Sequence, residues 1–187
     1  SREIIVVGGG AAGMMAAISA AENGGHVTLL EPNERLGKKL NITGKGRCNV
    51  TNNSSNEELL NNIPKNGKFL YSVFSRFSSA DTMAFFEKLG VPLKTERGNR
   101  VFPVSDRAFD ISAALERRLK ALRVKLVRDR AEALEIYRGR SPHGGGGRAY
   151  GNATARITGA AAGYCGAGYP LCAAAGLEPA ECGTDRI

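Results

Sequence analysis

Three glycines in a fixed pattern most restrict what this chain can become. Gly8, Gly10 and Gly13 form G-x-G-x-x-G directly after the apolar run Ile4 to Val7 and at the start of an Ala-rich stretch, Ala11 to Asn23. A second apolar run, Val27 to Leu30, follows and ends at the acid Glu31. That order predicts a buried strand, a tight turn, a helix and a second buried strand, the first unit of a parallel α/β sheet. Gly8 permits the turn. Gly10 lets a diphosphate approach the backbone. Gly13, with Ala16, Ala17, Ala20 and Ala21, lets the helix lie close to the sheet. The free N–H groups at the helix start then face the anion. Glu31 stands 18 residues after Gly13, where its carboxylate can accept from ribose hydroxyls and would repel a 2′-phosphate. These residues point to a dinucleotide and leave FAD and NAD both open.

The next stretch, Leu36 to Asn52 ("LGKKLNITGKGRCNVTN"), arrives where a simple NAD-binding unit would run into its second crossover. It is not a Walker A loop, because six residues separate Gly37 from Gly44 and Gly46 stands where Ser or Thr should follow Lys45. Its small residues and its cations Lys38, Lys39, Lys45 and Arg47 suit a long dianionic ligand that continues past the first turn. A basic surface loop is the plainer alternative.

Beyond it the sequence predicts short helices over Glu57 to Ile63 and Phe69 to Phe77, and a helix capped by Ser79 running to Leu89 and ended by Gly90. A hairpin is expected across Arg97-Gly98-Asn99, joining Leu93 to Glu96 with Arg100 to Phe102. Ser105 or Asp106 is placed to cap a helix to about Leu122, with strands at Val124 to Val127 and Ala133 to Tyr137. Phe69, Phe74, Phe77, Phe85 and Phe86 are expected to pack a small helical layer.

Three sets of residues, in order, resemble one bacterial flavoprotein family. They are Gly8-Gly9-Gly10-Ala11-Ala12-Gly13, the run Gly44-Lys45-Gly46-Arg47-Cys48-Asn49-Val50-Thr51-Asn52, and Arg100-Val101-Phe102-Pro103-Val104-Ser105-Asp106-Arg107-Ala108. The family is the BaiN-like or HI0933-like NAD(P)/FAD-dependent oxidoreductases, and the likeness covers about Glu3 to Ile136. Lys45 departs from it, since the family usually has a third glycine there. The resemblance implies an α/β, Rossmann-like FAD-binding domain of the two-dinucleotide-binding type, incomplete at its C-terminus. It implies FAD as cofactor, NAD(P)H as co-substrate and a small organic substrate. The cofactor-binding set it implies is Gly8, Gly10, Ala12, Gly13, Glu31, Pro32, Asn33, Lys38, Lys39, Thr43, Gly44, Gly46, Arg47, Cys48 and Asn49. In that set Gly8, Gly10 and Gly13 face the diphosphate, Glu31 the adenosine ribose, and Thr43 to Asn49 the stretch from diphosphate to flavin. Family chains continue with a strand ending in an Ala-Thr-Gly-Gly-like turn, an inserted domain and a segment that returns over the flavin. Those features are not readable in this chain.

Residues 1–137 are therefore expected to form the domain, and residues 138–187 to stand apart. The latter hold half of the chain's 24 glycines and three of its four cysteines, with no period of 2 or 3.6. A flexible tail, a reading frame lost near Tyr137, and a small module of its own are the three readings.

No acid–base pair is assigned. Cys48 is either a redox thiol near the flavin or a small packing residue, and Asp106 and Arg107 are either catalytic or first-turn helix residues. Neither C-x-x-C nor a His spacing suited to metal occurs, so no metal site is expected. The net charge of +8 is spread along the chain and no nucleic-acid module is visible, so no nucleic-acid partner is expected. No apolar run approaches the roughly 20 residues of a membrane span, and the first one lacks a basic leader. A cytoplasmic location is the resulting expectation.

Overall fold

A computed structural model of the protein describes residues 2–131 and two strands beyond them, Glu135–Arg138 and Ala153–Arg156. The expectations for residues 138–187 lie, apart from that last strand, outside the described residues.

The first unit forms as its pattern requires. Strand β1 (Glu3–Val7), helix α1 (Ala11–Glu22) and strand β2 (His26–Leu30) make a parallel crossover in which Ile4 pairs with Val27 and Val6 with Leu29. The chain returns much later as β6 (Lys125–Val127), parallel to β2, giving the sheet order β1-β2-β6. Val6, Val27 and Leu29 point to one face and are buried under Met14, Ala17 and Ile18 of α1. Their neighbours in β1, Ile5 and Val7, point to the other face and are 42% and 48% exposed.

Helix α5 (Ala108–Ala121) packs beside α1 and contributes Ile111, Ala114, Leu115 and Leu119 to the same core. Its apolar residues recur at helical spacing, so one face is buried and the other carries Glu116, Arg117 and Lys120. Arg118 donates to Glu22 at 2.6 Å and links the C-terminal ends of the two helices. Between β2 and α5 lies a second sheet, β3 (Thr51–Asn52), β5 (Arg100–Pro103) and β4 (Leu93–Glu96), all antiparallel in the order β3-β5-β4. Helices α2 (Asn56–Asn61), α3 (Tyr71–Arg76) and α4 (Ser79–Lys88) complete this part. Strands β7 (Glu135–Arg138) and β8 (Ala153–Arg156) pair antiparallel with each other.

Several expectations need correction. The cap of α4 is Ser78, one residue earlier than expected: its hydroxyl accepts from the Asp81 N–H at 3.1 Å and the Asp81 carboxylate accepts from the Ser78 N–H at 2.8 Å. This is the reciprocal capping box, and the extended backbone at Ser78 decides it. Ser79 is instead buried and donates to the Asn52 carbonyl, tying α4 to β3. Neither Ser105 nor Asp106 caps α5; Arg107 occupies that position without a side-chain cap, because the Asp106 carboxylate is held elsewhere. Strand β3 was not anticipated, since two residues are too few to show a period. Phe85 and Phe86 pack edge to face, with centroids 5.2 Å apart, and Phe77 meets Phe85 at 6.5 Å. Phe69, in contrast, is 80% exposed and takes no part in that layer.

Replacing Ser78 with Ala should lower the unfolding free energy by about 1 kcal/mol, the usual cost of losing a hydroxyl cap. Chemical denaturation at unchanged slope reads this directly. No loss would mean that the capping box does not hold α4.

Candidate functional site

The turn between β1 and α1 is set by contact with the helix. At Gly13 a methyl group would come within 1.8 Å of the Gly8 carbonyl oxygen, so only hydrogen fits there. Gly8 itself has φ +99°, a left-handed conformation that glycine adopts freely. The Gly8 N–H donates to the Leu30 carbonyl at 2.8 Å and extends the ladder of β2. Gly10 is the N-terminal cap residue of α1 and supplies no side-chain cap; the first helical bond runs from the Met14 N–H to the Gly10 carbonyl at 2.9 Å. The N–H groups of the first turn are thus without intrahelical acceptors. A Cβ at Gly10 would meet no protein atom within 4 Å, so the space before the helix start is open. An anion-accepting N-terminus facing open space, with glycine where a side chain would intrude, fits a diphosphate.

Glu31 closes the turn from the β2 side. It is 8% exposed. One carboxylate oxygen accepts from the Gly9 N–H at 2.6 Å; the other accepts from the Asn33 N–H at 2.8 Å and the Asn33 side-chain amide at 2.6 Å. Three of about four lone-pair positions are used, which leaves acceptor capacity for a ribose hydroxyl. Asn33 is anchored in turn by Arg128, which donates to its carbonyl at 2.5 Å. Pro32 and Asn33 are exposed beside it.

The glycine-rich stretch begins against this turn. The Gly37 N–H donates to the Gly9 carbonyl at 2.8 Å, and Leu36 is buried beside Gly9. Ser112 of α5, itself buried, donates to the Asn41 side chain at 2.8 Å and anchors the start of the Leu40–Gly46 stretch, which leaves helical geometry at Thr43, Gly44 and Lys45. Sequence reasoning missed Ser112; a serine among the apolar residues of α5 was the available signal. Lys38, Lys39 and Lys45 are exposed and make no ion pair with the described residues. Thr43 donates to the Leu40 carbonyl at 2.7 Å. Asn49, with its amide nitrogen toward the carbonyls, donates to Thr51 at 3.0 Å and Val101 at 3.3 Å. Cys48 is 4% exposed and belongs to the core cluster, and burial pushes its thiol above the usual range. That environment favours the neutral packing residue over a reactive thiolate.

Arg47 turns the other way. Its guanidinium bonds Glu96 of β4, donates through Nε to Asp106 at 2.8 Å, and lies 4.1 Å from the centroid of the Phe102 ring. Lys94 adds a bond to Asp106 at 2.7 Å and reaches Glu96 at 3.4 Å. Hydrogen bonds from Arg47 hold Glu96 below the usual carboxylate range, and hydrogen bonds from Lys94 and Arg47 do the same for Asp106. Arg47 and Asp106 are 59 residues apart, and no local pattern announces the pairing. Among the described residues no group of His, Cys, Asp and Glu could hold a metal ion. Two surface clefts, one at Val91, Pro92 and Val104 and one at Leu60, Tyr71 and Ser75, include no residue of the glycine turn.

Comparison with known proteins follows the same residues. Residues 2–141 match the family described as the HI0933-like protein Rossmann domain. The chain is 34% identical over 134 residues to a 3-dehydro-bile acid delta(4,6)-reductase of Clostridium scindens. That match covers 70% of this chain and 32% of the reductase, so the chain spans about a third of the length of the curated relative it matches. Among solved structures, Thermovibrio ammonificans THI4 superposes with a TM-score of 0.49 at 13% identity, over 74% of this chain and 42% of that one. The L-proline dehydrogenase of P. horikoshii superposes with a TM-score of 0.41 at 17% identity, over 73% and 46%.

Gly13→Ala should lower stability by about 1–3 kcal/mol, the range for forcing atoms into a filled site, because α1 must move off the turn. An unchanged denaturation midpoint would mean that the helix does not approach the turn as described. Acid should reveal the Arg47 cluster. Depressed carboxylates contribute stability that is complete above their unfolded values and lost as pH falls through the folded ones. Melting temperature should therefore fall below about pH 4, and fall less steeply in the Glu96→Gln, Asp106→Asn double variant. Parallel acid profiles for the two proteins would remove these carboxylates from the transition.

Proposed function

Because the chain belongs to the HI0933-like Rossmann-domain family, we propose that it is the FAD-binding part of a flavin-dependent oxidoreductase acting on a small organic substrate. The observation that carries this reading is the uncapped start of α1 at Gly10, open in front and closed behind by Gly13 and Glu31. Gly8, Gly10, Ala12 and Gly13 present backbone to the diphosphate. Glu31, with Pro32 and Asn33 beside it, accepts from the adenosine ribose. Lys38 and Lys39 bring positive charge near the anion, and Thr43, Gly44, Gly46, Cys48 and Asn49 border the stretch toward the flavin.

FAD, when bound, supplies two-electron transfer, while the protein supplies position and electrostatics. NAD(P)H is proposed as the electron source. The name of the Clostridium scindens relative supports a small organic substrate and a reductive direction. No described helix is long and apolar enough to cross a membrane. The same reading puts the edge of the FAD-binding part near residue 137, with residues 138–187 as a separate tail.

The test is binding by the whole chain. Wild-type protein mixed with FAD should retain yellow colour through gel filtration. Gly10→Val should lose it while keeping the fold, since the added side chain points into open space and the cap exchange costs only about 1 kcal/mol. Flavin retained by Gly10→Val would move the diphosphate away from this turn. Binding of NAD but not FAD by the wild type would make the chain a plain NAD-binding unit instead.

A further inference from the structure

The loop that follows the first turn is conformationally expensive. Gly44, Lys45, Gly46 and Cys48 have φ of +57°, +58°, +82° and +59°. Two of the four carry side chains, and such backbone persists only where its surroundings over-determine it. The loop's own bonds are few: the Arg47 N–H donates to Gly44 at 3.2 Å and the Cys48 N–H to Thr43 at 3.1 Å. The added constraint comes from Arg47. Its side chain leaves the loop between the left-handed residues and is gripped from three elements, by Glu96 on β4, the Phe102 ring on β5 and Asp106 before α5. Asp106 is also left-handed, at φ +56°, and is held from its other oxygen by Lys94. Lys38, Lys39 and Lys45 stay exposed, as cations available to an anion do.

We infer that Arg47 is a positioning residue: clamped by Glu96, Asp106 and Phe102, it holds the Gly44–Cys48 backbone in its binding shape and does not itself contact the diphosphate. This rests on the flavin reading and assigns work within that site. Arg47 is committed through Nε and Nη2 to Asp106 and Glu96, which Lys94 also bridges, so turning its guanidinium toward a phosphate would disturb these bonds. Lys38, Lys39 and Lys45 hold no ion pair among the described residues and can turn without such a loss.

The two roles for Arg47 predict opposite signs. If it were a diphosphate ligand held in reserve, removing its acidic partners would free it, and FAD would bind as tightly as before or more tightly. As a clamp, it fails when its partners are removed. Asp106→Asn is the first variant, because Asn tolerates left-handed backbone and the turn is kept. Glu96→Gln with Asp106→Asn is the second. In the full chain, FAD affinity read by flavin fluorescence should weaken about tenfold, the equivalent of losing about one hydrogen bond to a charged group. ADP affinity should stay unchanged, since the glycine turn and Glu31 are untouched. Arg47→Met should weaken FAD by itself and add little in the double variant, because partners of one network are not additive. Without any ligand, tryptic cleavage after Lys45 should accelerate in each variant at temperatures well below its melting transition. Unchanged or tighter FAD in the double variant, or unchanged cleavage after Lys45, would overturn the clamp. Wild-type protein that binds ADP but no FAD would instead overturn the flavin reading, and the clamp's role in the site with it.

Discussion

The close approach of α1 to the end of β1 governs the rest of this molecule. At Gly13 the helix backbone lies so near the Gly8 carbonyl that no side-chain carbon fits between them. That contact sets the angle at which the helix leaves the turn. It buries Met14, Ala17 and Ile18 against Val6, Val27 and Leu29, and it aims the open N-terminus of the helix away from the core. Stability and ligand chemistry thus share one constraint. A larger residue at Gly13 would disturb both the helix start and the packing of the first crossover, whereas one at Gly10 would fill only the space in front of the helix.

Around that contact the structure uses acids in two distinct ways. Glu31 is buried and turned inward, fixing Gly9 and Asn33 so that the turn keeps its shape. Glu96 and Asp106 lie at the surface of the second sheet and grip Arg47 across long sequence separations. In both cases a carboxylate holds backbone that has little regular hydrogen bonding of its own. The result is a continuous support under the glycine-rich stretch. Its start is tied to Gly9, its middle to Ser112 of α5, and its end to β4 and β5.

The parallel sheet is covered on one face by α1, against which α5 packs. Ile5 and Val7 remain on the other, and β1 stands at the edge of the described sheet. Parallel sheets normally bury both faces.

The first crossover was legible from residue order alone. Apolar runs, glycines and an Ala-rich helix state their structure locally, because strand burial, turn geometry and close helix packing each select residue types at short spacing. The helix of α5 and the hairpin β4–β5 were legible for the same reason. The cap at Ser78 and the exposure of Phe69 were not, since neighbouring serines and similar aromatics are equivalent until the backbone path distinguishes them. Cys48 kept two readings until burial favoured one. Glu31 was marked as a ribose acceptor by position, but its bond to Gly9 depends on how close β2 brings it to the turn. Arg47 looked like one more cation in a basic loop. Only the fold brings it to Glu96, Phe102 and Asp106, because charges 49 and 59 residues apart leave no periodic trace in a sequence and meet only when separate elements pack.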